Sequence, residues 1–453
     1  MTKRTREILQ EEPVPKKHMQ ECGNVQEEPV QEIVVNLNEE QQSALDYAIL
    51  KKNLFLTGSA GTGKSFLLHY IIANLRKSAK TVVVTATTGI AALQVGGSTL
   101  YNAFSIHPKN LKTGEVHASK RWNNLDVLVI DEISMIGQDL FLYLDKQAQK
   151  SRNNKSPFGG VQLILVGDFF QLPPICDGVL SFVFQLPLYQ RMFDVHNGVS
   201  VNLTEVFRQR DKSFVDLLEN MRRGKITSAQ LKQIERLMNQ PPPDFSNGIK
   251  YTKLYGRRDD VDKNNQEELY KIKNESNIFK ATCTFGSKSE KLSQKEKDKI
   301  QTQLLNNMSM TKDLELREGA QVMLTANLAV EAGLANGSRG IVQSFQDGYP
   351  IVQFKNCKVQ IFEHEWIVEH SGVTVTVRIV PLKLAYALTI HKSQGQSIDL
   401  LEIDLGKCWE CGQCYTAFSR ATSLETLRVK NFNVNAIKTH QAVKDFYDNL
   451  VLC

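Results

Sequence analysis

The sequence predicts an α/β protein in which a parallel sheet carries a ligand site along the C-terminal ends of its strands. Three observations carry that expectation. The first is the apolar run Asn53-Leu54-Phe55-Leu56-Thr57, followed by Gly58-Ser59-Ala60-Gly61-Thr62-Gly63-Lys64-Ser65 and then by Phe66 to Ile72 at helical spacing. The second is a set of further apolar strands, Thr81 to Ala86, Asp126 to Ile130 and Gln162 to Val166, each running into small or polar residues. Uninterrupted apolar strands belong to parallel sheets covered on both faces. The third is a change of character over residues 315–380, where short strands alternate with turns as in a small inserted barrel.

A chain of 453 residues is too long for one core and predicts about two to four domains. Its 42% hydrophobic and 23% charged content reads as globular, and no apolar run approaches the ~20 residues of a membrane helix. The N-terminus lacks the apolar core of a signal peptide, and eight cysteines in such a chain fit reduced intracellular thiols. An intracellular chain is expected, in nucleus or cytoplasm, and a virus-encoded protein in its host cell fits equally. Residues 1–32 hold five Lys/Arg and seven Asp/Glu, net −2, so the net +6 of the chain leaves +8 on the remainder. A mildly basic body is compatible with a polyanionic partner. Cys408, Cys411 and Cys414 form a C-x-x-C-x-x-C run without an obvious fourth ligand nearby, and packing cysteines at a helix start are expected rather than a metal site.

Residues 1–34 are rich in Glu, Lys, Gln and Pro and read as a disordered tail. Its Lys3-Arg4-Thr5-Arg6 and Lys16-Lys17 fit either a bipartite nuclear signal or plain solvated charge. Order begins near Leu37, with Asn38 as N-cap and Gln41 at the third helical position; the same spacing would let Gln41 face an adenine edge. In the glycine loop, backbone N–H groups of Gly58, Ser59, Ala60, Gly61, Thr62 and Gly63 turn toward phosphate oxygens, helped by the positive end of the following helix. Lys64 then reaches the β- and γ-phosphates, and the Ser65 hydroxyl ligates Mg²⁺. The strand at 81–86 leads into Thr87-Thr88-Gly89 and then Gly96-Gly97-Ser98-Thr99, small and hydroxylated residues placed where open α/β sheets bind ligands. Residues 105–125, with Pro108, Lys109, Lys112 and Trp122, show no clean period and read as an insertion or small subdomain.

The strand ending in Asp131-Glu132 has the Walker B arrangement: Asp131 holds Mg²⁺ and Glu132 orients and deprotonates water. Gln171, past the tip of the next strand, is placed to sense a γ-phosphate. The second half offers strands at Lys253-Leu254-Tyr255, Lys383 to Ile390, Leu400 to Leu405 and Leu427 to Val429, without a second glycine loop. The Lys-rich stretch 288–299 reads as an exposed helix face.

With these pieces in place, the chain from about Leu37 to Arg428 resembles the Pif1 family of superfamily 1B DNA helicases. Gln41 matches the Q motif, Gly58 to Ser65 motif I, Thr88-Gly89-Ile90-Ala91-Ala92 motif Ia and Ile130 to Met135 motif II. Gly167 to Pro174 is similar to motif III, Leu203 to Gln209 to motif IV with Arg208, and Asp211 to Gly224 to the family signature. Thr389-Ile390-His391-Lys392-Ser393-Gln394-Gly395-Gln396 resembles motif V, and Gly412 to Ala421 motif VI with Arg420 as arginine finger.

The resemblance implies two RecA-like P-loop NTPase lobes: lobe 1A at 35–178 and lobe 2A at 179–314 and 381–453. It further implies a wedge insertion 1B at 105–125 and an SH3-like insertion 2B at 315–380. It implies an ATP- and Mg²⁺-dependent motor that moves 5′→3′ on single-stranded DNA and opens duplex or forked DNA in replication, repair or recombination, as a monomer and without a membrane. The strand would be tracked by Thr88, Gly89, Tyr101, His391, Lys392 and Ser393. The family usually reads T-I-H-S-F where this chain has Thr99-Leu100-Tyr101-Asn102-Ala103-Phe104, so Tyr101 keeps a stacking face but loses the imidazole.

Overall fold

The structure, a computed structural model, describes residues 36–175, 178–194, 196–239, 250–286, 292–307, 310–329, 332, 334, 336–354, 357–370 and 373–452. The predicted tail at 1–34 lies outside the described residues. Helix α1 (Glu39–Ile49) begins with a reciprocal cap: Asn38 Oδ1 accepts the Gln41 amide at 2.9 Å and Gln41 Oε1 accepts the Asn38 amide at 3.2 Å. The chain then alternates β1 (Asn53–Gly58), α2 (Lys64–Lys77), β2 (Val82–Ala86), α3 (Gly89–Gln94), β3 (Ser98–Thr99), α4 (Leu100–Ala103) and α5 (Pro108–Thr113). It continues through β4 (Val127–Asp131), α6 (Gln138–Arg152), β5 (Gln162–Val166), α7 (Pro187–Met192) and β6 (Gly198–Leu203). These six strands form one sheet in the order β3-β2-β4-β5-β1-β6, parallel throughout.

The pleat explains why the strands read as unbroken apolar runs. Leu54, Leu56, Val129 and Ile164 face one core, shared with Leu67, Leu68 and Ile71 of α2. Phe55, Leu128, Ile130 and Leu165 face the other, shared with Phe141 and Leu144 of α6. Both faces are dry, so alternation in polarity is lost. The sheet also corrects the expected lobe boundary at 178. Strand β6 pairs with β1 from Asn53↔Gly198 to Gly58↔Leu203, so the first lobe takes in residues up to 203.

Helices α8 (Lys212–Arg222) and α9 (Ser228–Asn239) lead to β7 (Thr252–Tyr255) and α10 (Arg258–Tyr270). Then come β8 (Ser276–Lys280), β9 (Thr282–Phe285), α11 (Gln294–Asn307), β10 (Asp313–Arg317), β11 (Gln321–Leu324), β12 (Arg339–Gln346) and β13 (Tyr349–Phe354). The insertion closes with β14 (Lys358–Gln360), β15 (His364–His370), β16 (Val373–Ile379) and β17 (Leu382–Leu384). The chain ends through β18 (Ala387–Thr389), β19 (Leu401–Asp404), α12 (Gln413–Phe418), β20 (Leu427–Lys430) and α13 (Gln441–Asp448). Strands β18-β7-β19-β20 form a second parallel sheet. Between β7 and β18 the strands are antiparallel, in sheets β14-β13-β12-β11-β17, β15-β16-β9 and β10-β8. They enclose a separate core that includes Leu304, Leu316, Val322, Val352, Val375 and Val377.

The inserted unit therefore begins before residue 315, because β8 pairs with β10, β9 with β16, and α11 covers the same core. Likewise the predicted strand from Lys383 to Ile390 is split between two sheets. Lys383 and Leu384 pair with β11, whereas Ala387 to Thr389 pair with β7. Helix α13 crosses back to the first lobe, where the Phe446 ring lies 4.3 Å from Phe184, 5.5 Å from Phe169 and 6.0 Å from Phe55.

The segment 105–125 is tied down at its end. Trp122 is fully buried, stacks on Phe104 at 4.2 Å and donates Nε1–H to Gln147 Oε1 at 3.0 Å. Gln147 in turn donates to the His117 carbonyl at 2.9 Å. Trp122 is thus a core residue at the end of the expected insertion; the side chains of Pro108, Lys109 and Lys112 lie outside the described residues. Trp122→Ala removes a buried indole and orphans Gln147, and is expected to cost about 3–5 kcal/mol. Urea denaturation followed by circular dichroism should show the first transition at lower denaturant; an unmoved transition would show that the segment is anchored elsewhere.

Candidate active site

The glycine loop bridges β1 and α2, and its backbone is in the left-handed region at Gly61 (φ 90°) and Gly63 (φ 82°). At Gly61 a side chain is also excluded by space, since a Cβ would stand 2.7 Å from Arg208 Cβ. Lys64 Nζ donates to the carbonyls of Gly58 and Ser59, both at 2.8 Å. Burial pushes its ammonium down to about 8, against the pull of Asp168 and Glu132. Ser65 lies exposed on the first turn of α2.

Across the cleft floor, β4 ends in two buried carboxylates. Asp131 Oδ1 accepts the Glu132 amide at 2.9 Å. Burial and then the Glu132 charge push Asp131 up to about 8; burial also raises Glu132, opposed by Arg420 and Lys64. A buried acid raised by burial and by a neighbouring carboxylate is the setting in which a divalent cation is welcome, so Asp131 fits Mg²⁺, with Ser65 as the second expected ligand. Glu132 itself adopts φ 55°, a conformation that costs a non-glycine residue about 1–3 kcal/mol and that concentrates at functional sites.

The second lobe meets this floor directly. Gln394 donates Nε2–H to Glu132 Oε2 at 2.8 Å, while its own Oε1 is buried without a partner among the described residues. Arg420, fully buried, donates to the carbonyls of Thr416 (3.0 Å) and Ser393 (3.4 Å) and to Gln171 Oε1 (3.4 Å). Arg208 Nη1 donates to the Ser419 carbonyl at 2.9 Å, and burial followed by the Arg420 charge lowers its pKa. Lys64, Asp131, Glu132, Gln171, Arg208 and Arg420 thus converge on one cleft.

Three participants escaped the sequence reading of the site. Gln394 is one. Phe207 is another, 54% exposed and adjoining Gly63, where Gln41 Nε2 also lies; its ring and that amide form a slot beside the loop. Since Gln41 spends only Oε1 on the helix cap, both readings of that residue are compatible. The third is the buried pair of Asp168 and Arg222, joined by two N–H···O bonds of 3.0 and 2.9 Å. An exposed aromatic directly before Arg208 was the one available signal for Phe207; the other two depend on partners far away in sequence.

The remaining predicted residues lie on either side of the cleft. Thr88 Oγ1 accepts the Ala91 amide at 3.2 Å, Gly89 opens α3, and Tyr101 is 36% exposed on α4. His391 Nε2 sits 3.3 Å from Glu410, and Lys392 is half-buried. Ser393 is corrected as a strand-tracking hydroxyl: it is fully buried and its hydroxyl donates to the Ile390 carbonyl at 2.8 Å. Cys408 and Cys411 precede α12 and Cys414 is buried within it, 3.8 Å from Met221 Sδ; no metal-ligand cluster occurs among the described residues.

The profile of the PIF1-like helicase family matches residues 36–232, and that of the DNA helicase Pif1 2B domain matches residues 300–345. The chain is 36% identical over 433 residues to the ATP-dependent DNA helicase PIF1 of Danio rerio, covering 92% of this chain and 64% of that relative. Pif1 helicase from Candida albicans is similar in structure with a TM-score of 0.75 at 34% identity, covering 92% of this chain and 100% of the other. The chain belongs to the PIF1-like helicase family. A Bacteroides Pif1 bound to ssDNA is similar with a TM-score of 0.62 at 27% identity, covering 91% of this chain and 97% of that one. Within this PIF1-like chain, removing one partner of the Asp168–Arg222 pair strands a buried charge. Arg222→Met should cost about 3–5 kcal/mol, and Asp168→Asn combined with Arg222→Met less than the sum of the two single changes. Chemical denaturation of the three variants checks this; strict additivity would show that the pair is not coupled.

Proposed function

We propose that the protein is an ATP-dependent DNA helicase that hydrolyses ATP to move 5′→3′ along single-stranded DNA and to open duplex or forked DNA. One observation carries this reading: the 2.8 Å bond from Gln394 to Glu132, which joins the hydrolytic carboxylate of one lobe to the turn holding His391 and Lys392 in the other. In this reading the two parallel sheets are RecA-like lobes, the antiparallel unit is the SH3-like insertion 2B, and 105–125 is the wedge 1B. The motor works as a monomer inside the cell, on single-stranded and forked DNA.

The glycine loop, Gly58 to Ser65, holds the phosphates through its amides other than that of Ala60, which donates to the Tyr415 hydroxyl at 2.9 Å, and Lys64 exchanges its two loop carbonyls for phosphate oxygens. Phe207 and Gln41 take the adenine ring and edge. Ser65 and Asp131 would hold Mg²⁺, which neutralises charge on the β- and γ-phosphates. Glu132 takes a proton from the attacking water, and the free Oε1 of Gln394 accepts that water's second hydrogen. Arg420 and Arg208 meet the charge that grows on the γ-phosphoryl group, and Gln171 sets the Arg420 guanidinium. Thr88, Gly89, Tyr101, His391 and Lys392 contact the strand from the two lobes.

The deciding measurement is ATP turnover with and without single-stranded DNA. Large stimulation supports a helicase; a small-molecule kinase or a nucleotide-gated scaffold shows none. Glu132→Gln keeps an acceptor for Gln394 but no base, so turnover should fall about 10²–10⁴-fold with ATP still bound, whereas Lys64→Ala should lose nucleotide binding as well. Normal turnover in Glu132→Gln would remove the assigned base. Arg420→Ala should lower kcat about 10³-fold or more while nucleotide affinity stays within a few-fold, because the charge it meets arises in the transition state. A loss of affinity with an unchanged saturating rate would make Arg420 a ground-state binding residue.

A further inference from the structure

Between α10, β10, β17 and β18 lies a cavity of about 440 Å³, in the size range of ligand clefts. Its charged lining comprises Arg258, Asp262, Asp313, Glu315, Lys383 and Lys392. Two of these carboxylates are already engaged: Asp262 with Arg258 at 3.4 Å and Glu315 with Arg317 at 2.8 Å. Lys383 and Lys392 are both half-buried, and among the described residues neither ammonium has a hydrogen-bond or ion-pair partner.

The two lysines also act on each other. Burial and then the Lys392 charge push Lys383 down to about 8, and no carboxylate counters this. Lys392 is lowered by burial and by Arg258, with only Asp262 opposing. Two half-enclosed ammonium groups with no ion-pair partner of their own, the nearby Asp262 being already paired with Arg258, are unfavourable by themselves and become favourable when an anion enters between them. Asp313, exposed on β10, is the one carboxylate of the lining without an ion pair among the described residues.

We infer that Lys383 and Lys392 form a binding subsite for a phosphate group, filled by the phosphodiester of the DNA strand. This rests on the helicase reading above. The strand is favoured as the source because Lys392 follows His391 at the C-terminal end of β18, which is where the second sheet presents ligands, as Thr88 and Gly89 stand at the end of β2 in the first. Lys383 was outside every motif, and it joins the site only because the run 383–390 divides between two sheets.

The test is a titration of a labelled oligo-dT by the full chain across a salt series, with Lys383→Met, which keeps the alkyl stem, and Lys383→Arg, which restores the charge. Lys383→Met should weaken binding about tenfold and lower the slope of log affinity against log salt by about 0.7, and Lys383→Arg should recover both. An equal thermal melting profile certifies the fold of the variants. If wild type binds no oligo-dT, the helicase reading fails and the subsite with it. Should wild type bind and Lys383→Met match it in affinity and slope, the subsite alone is overturned. Inorganic phosphate supplies the other arm: a melting shift that needs Lys383, with oligo-dT affinity unchanged, assigns the cavity to a free anion and overturns the strand.

Discussion

The carboxylate of Asp168 is fully buried just beyond β5, and the arrangement of both lobes depends on how its charge is met. An isolated carboxylate there would cost several kcal/mol. Arg222 supplies two parallel N–H bonds, and its guanidinium is held over the Phe170 ring at 4.4 Å and the Tyr447 ring at 5.1 Å. The phenols of Tyr415 and Tyr447 add donors at 3.4 and 3.3 Å. Each phenol has one proton, so with it committed to Asp168 the remaining contacts must be accepted. Tyr415 accepts the Ala60 amide of the glycine loop at 2.9 Å, and Tyr447 accepts from the Thr57 hydroxyl at 2.7 Å and the Phe169 amide at 3.2 Å. Burial, reinforced by Asp168, holds both phenols above their ordinary range, so they stay protonated and keep donating. One buried charge therefore ties β1, the glycine loop, α8, α12 and α13 together.

Sterics then fix how closely the second lobe approaches. Helix α12 starts at Gly412, φ 73°, against the backbone of Phe170 and Gln171; a Cβ there would overlap the Gln171 carbonyl oxygen. The absent side chain lets the helix press onto the first lobe and delivers Tyr415 and Arg420 into the cleft. Arg420 tolerates full burial because the Thr416, Ser393 and Gln396 carbonyls, Gln171 Oε1 and Ser419 Oγ all accept from it. Four of these five acceptors lie on the second lobe. The guanidinium is thus preset by its own lobe, and only its reach toward Gln171 and Glu132 depends on closure.

What could be read in the sequence follows from where the physical cause lies. The glycine loop and Asp131-Glu132 are legible because strand, turn and helix are contiguous, and their chemistry needs those residue types in that order. The capping box of Asn38 and Gln41 was legible for the same reason. Strand membership was not. Nothing within residues 198–203 says that their hydrogen bonds go to β1 rather than to the second sheet, and the split of 383–390 is decided by Ala385 bonding to Gln321 while Tyr386 bonds to Lys253. The burial of Trp122 within the expected insertion was not legible because its partners, Phe104 and Gln147, lie 18 and 25 residues away. Gln394 was inside a recognisable motif, but its role appears only when Glu132, 262 residues earlier, comes within reach.

In the proposed helicase, the turn from Ile390 to Gln394 would serve both the nucleotide and the strand. Its side chains divide between two environments. His391 and Lys392 face the partly exposed side, whereas Ser393 and Gln394 are buried against the cleft. Ser393 accepts from Arg420 through its carbonyl, and Gln394 donates to Glu132, so Lys392 is separated from Glu132 by two residues of chain and one hydrogen bond. His391 is held 3.3 Å from Glu410, whose amide in turn reaches Gln413 Oε1 at the start of α12. A phosphate that drew His391 from Glu410 would loosen the approach to α12 and shift Gln394 with the same turn. Because that turn is short and its buried half is held by hydrogen bonds to Ile390, Glu132 and Arg420, its two environments are separated by no more than the peptide between Lys392 and Ser393.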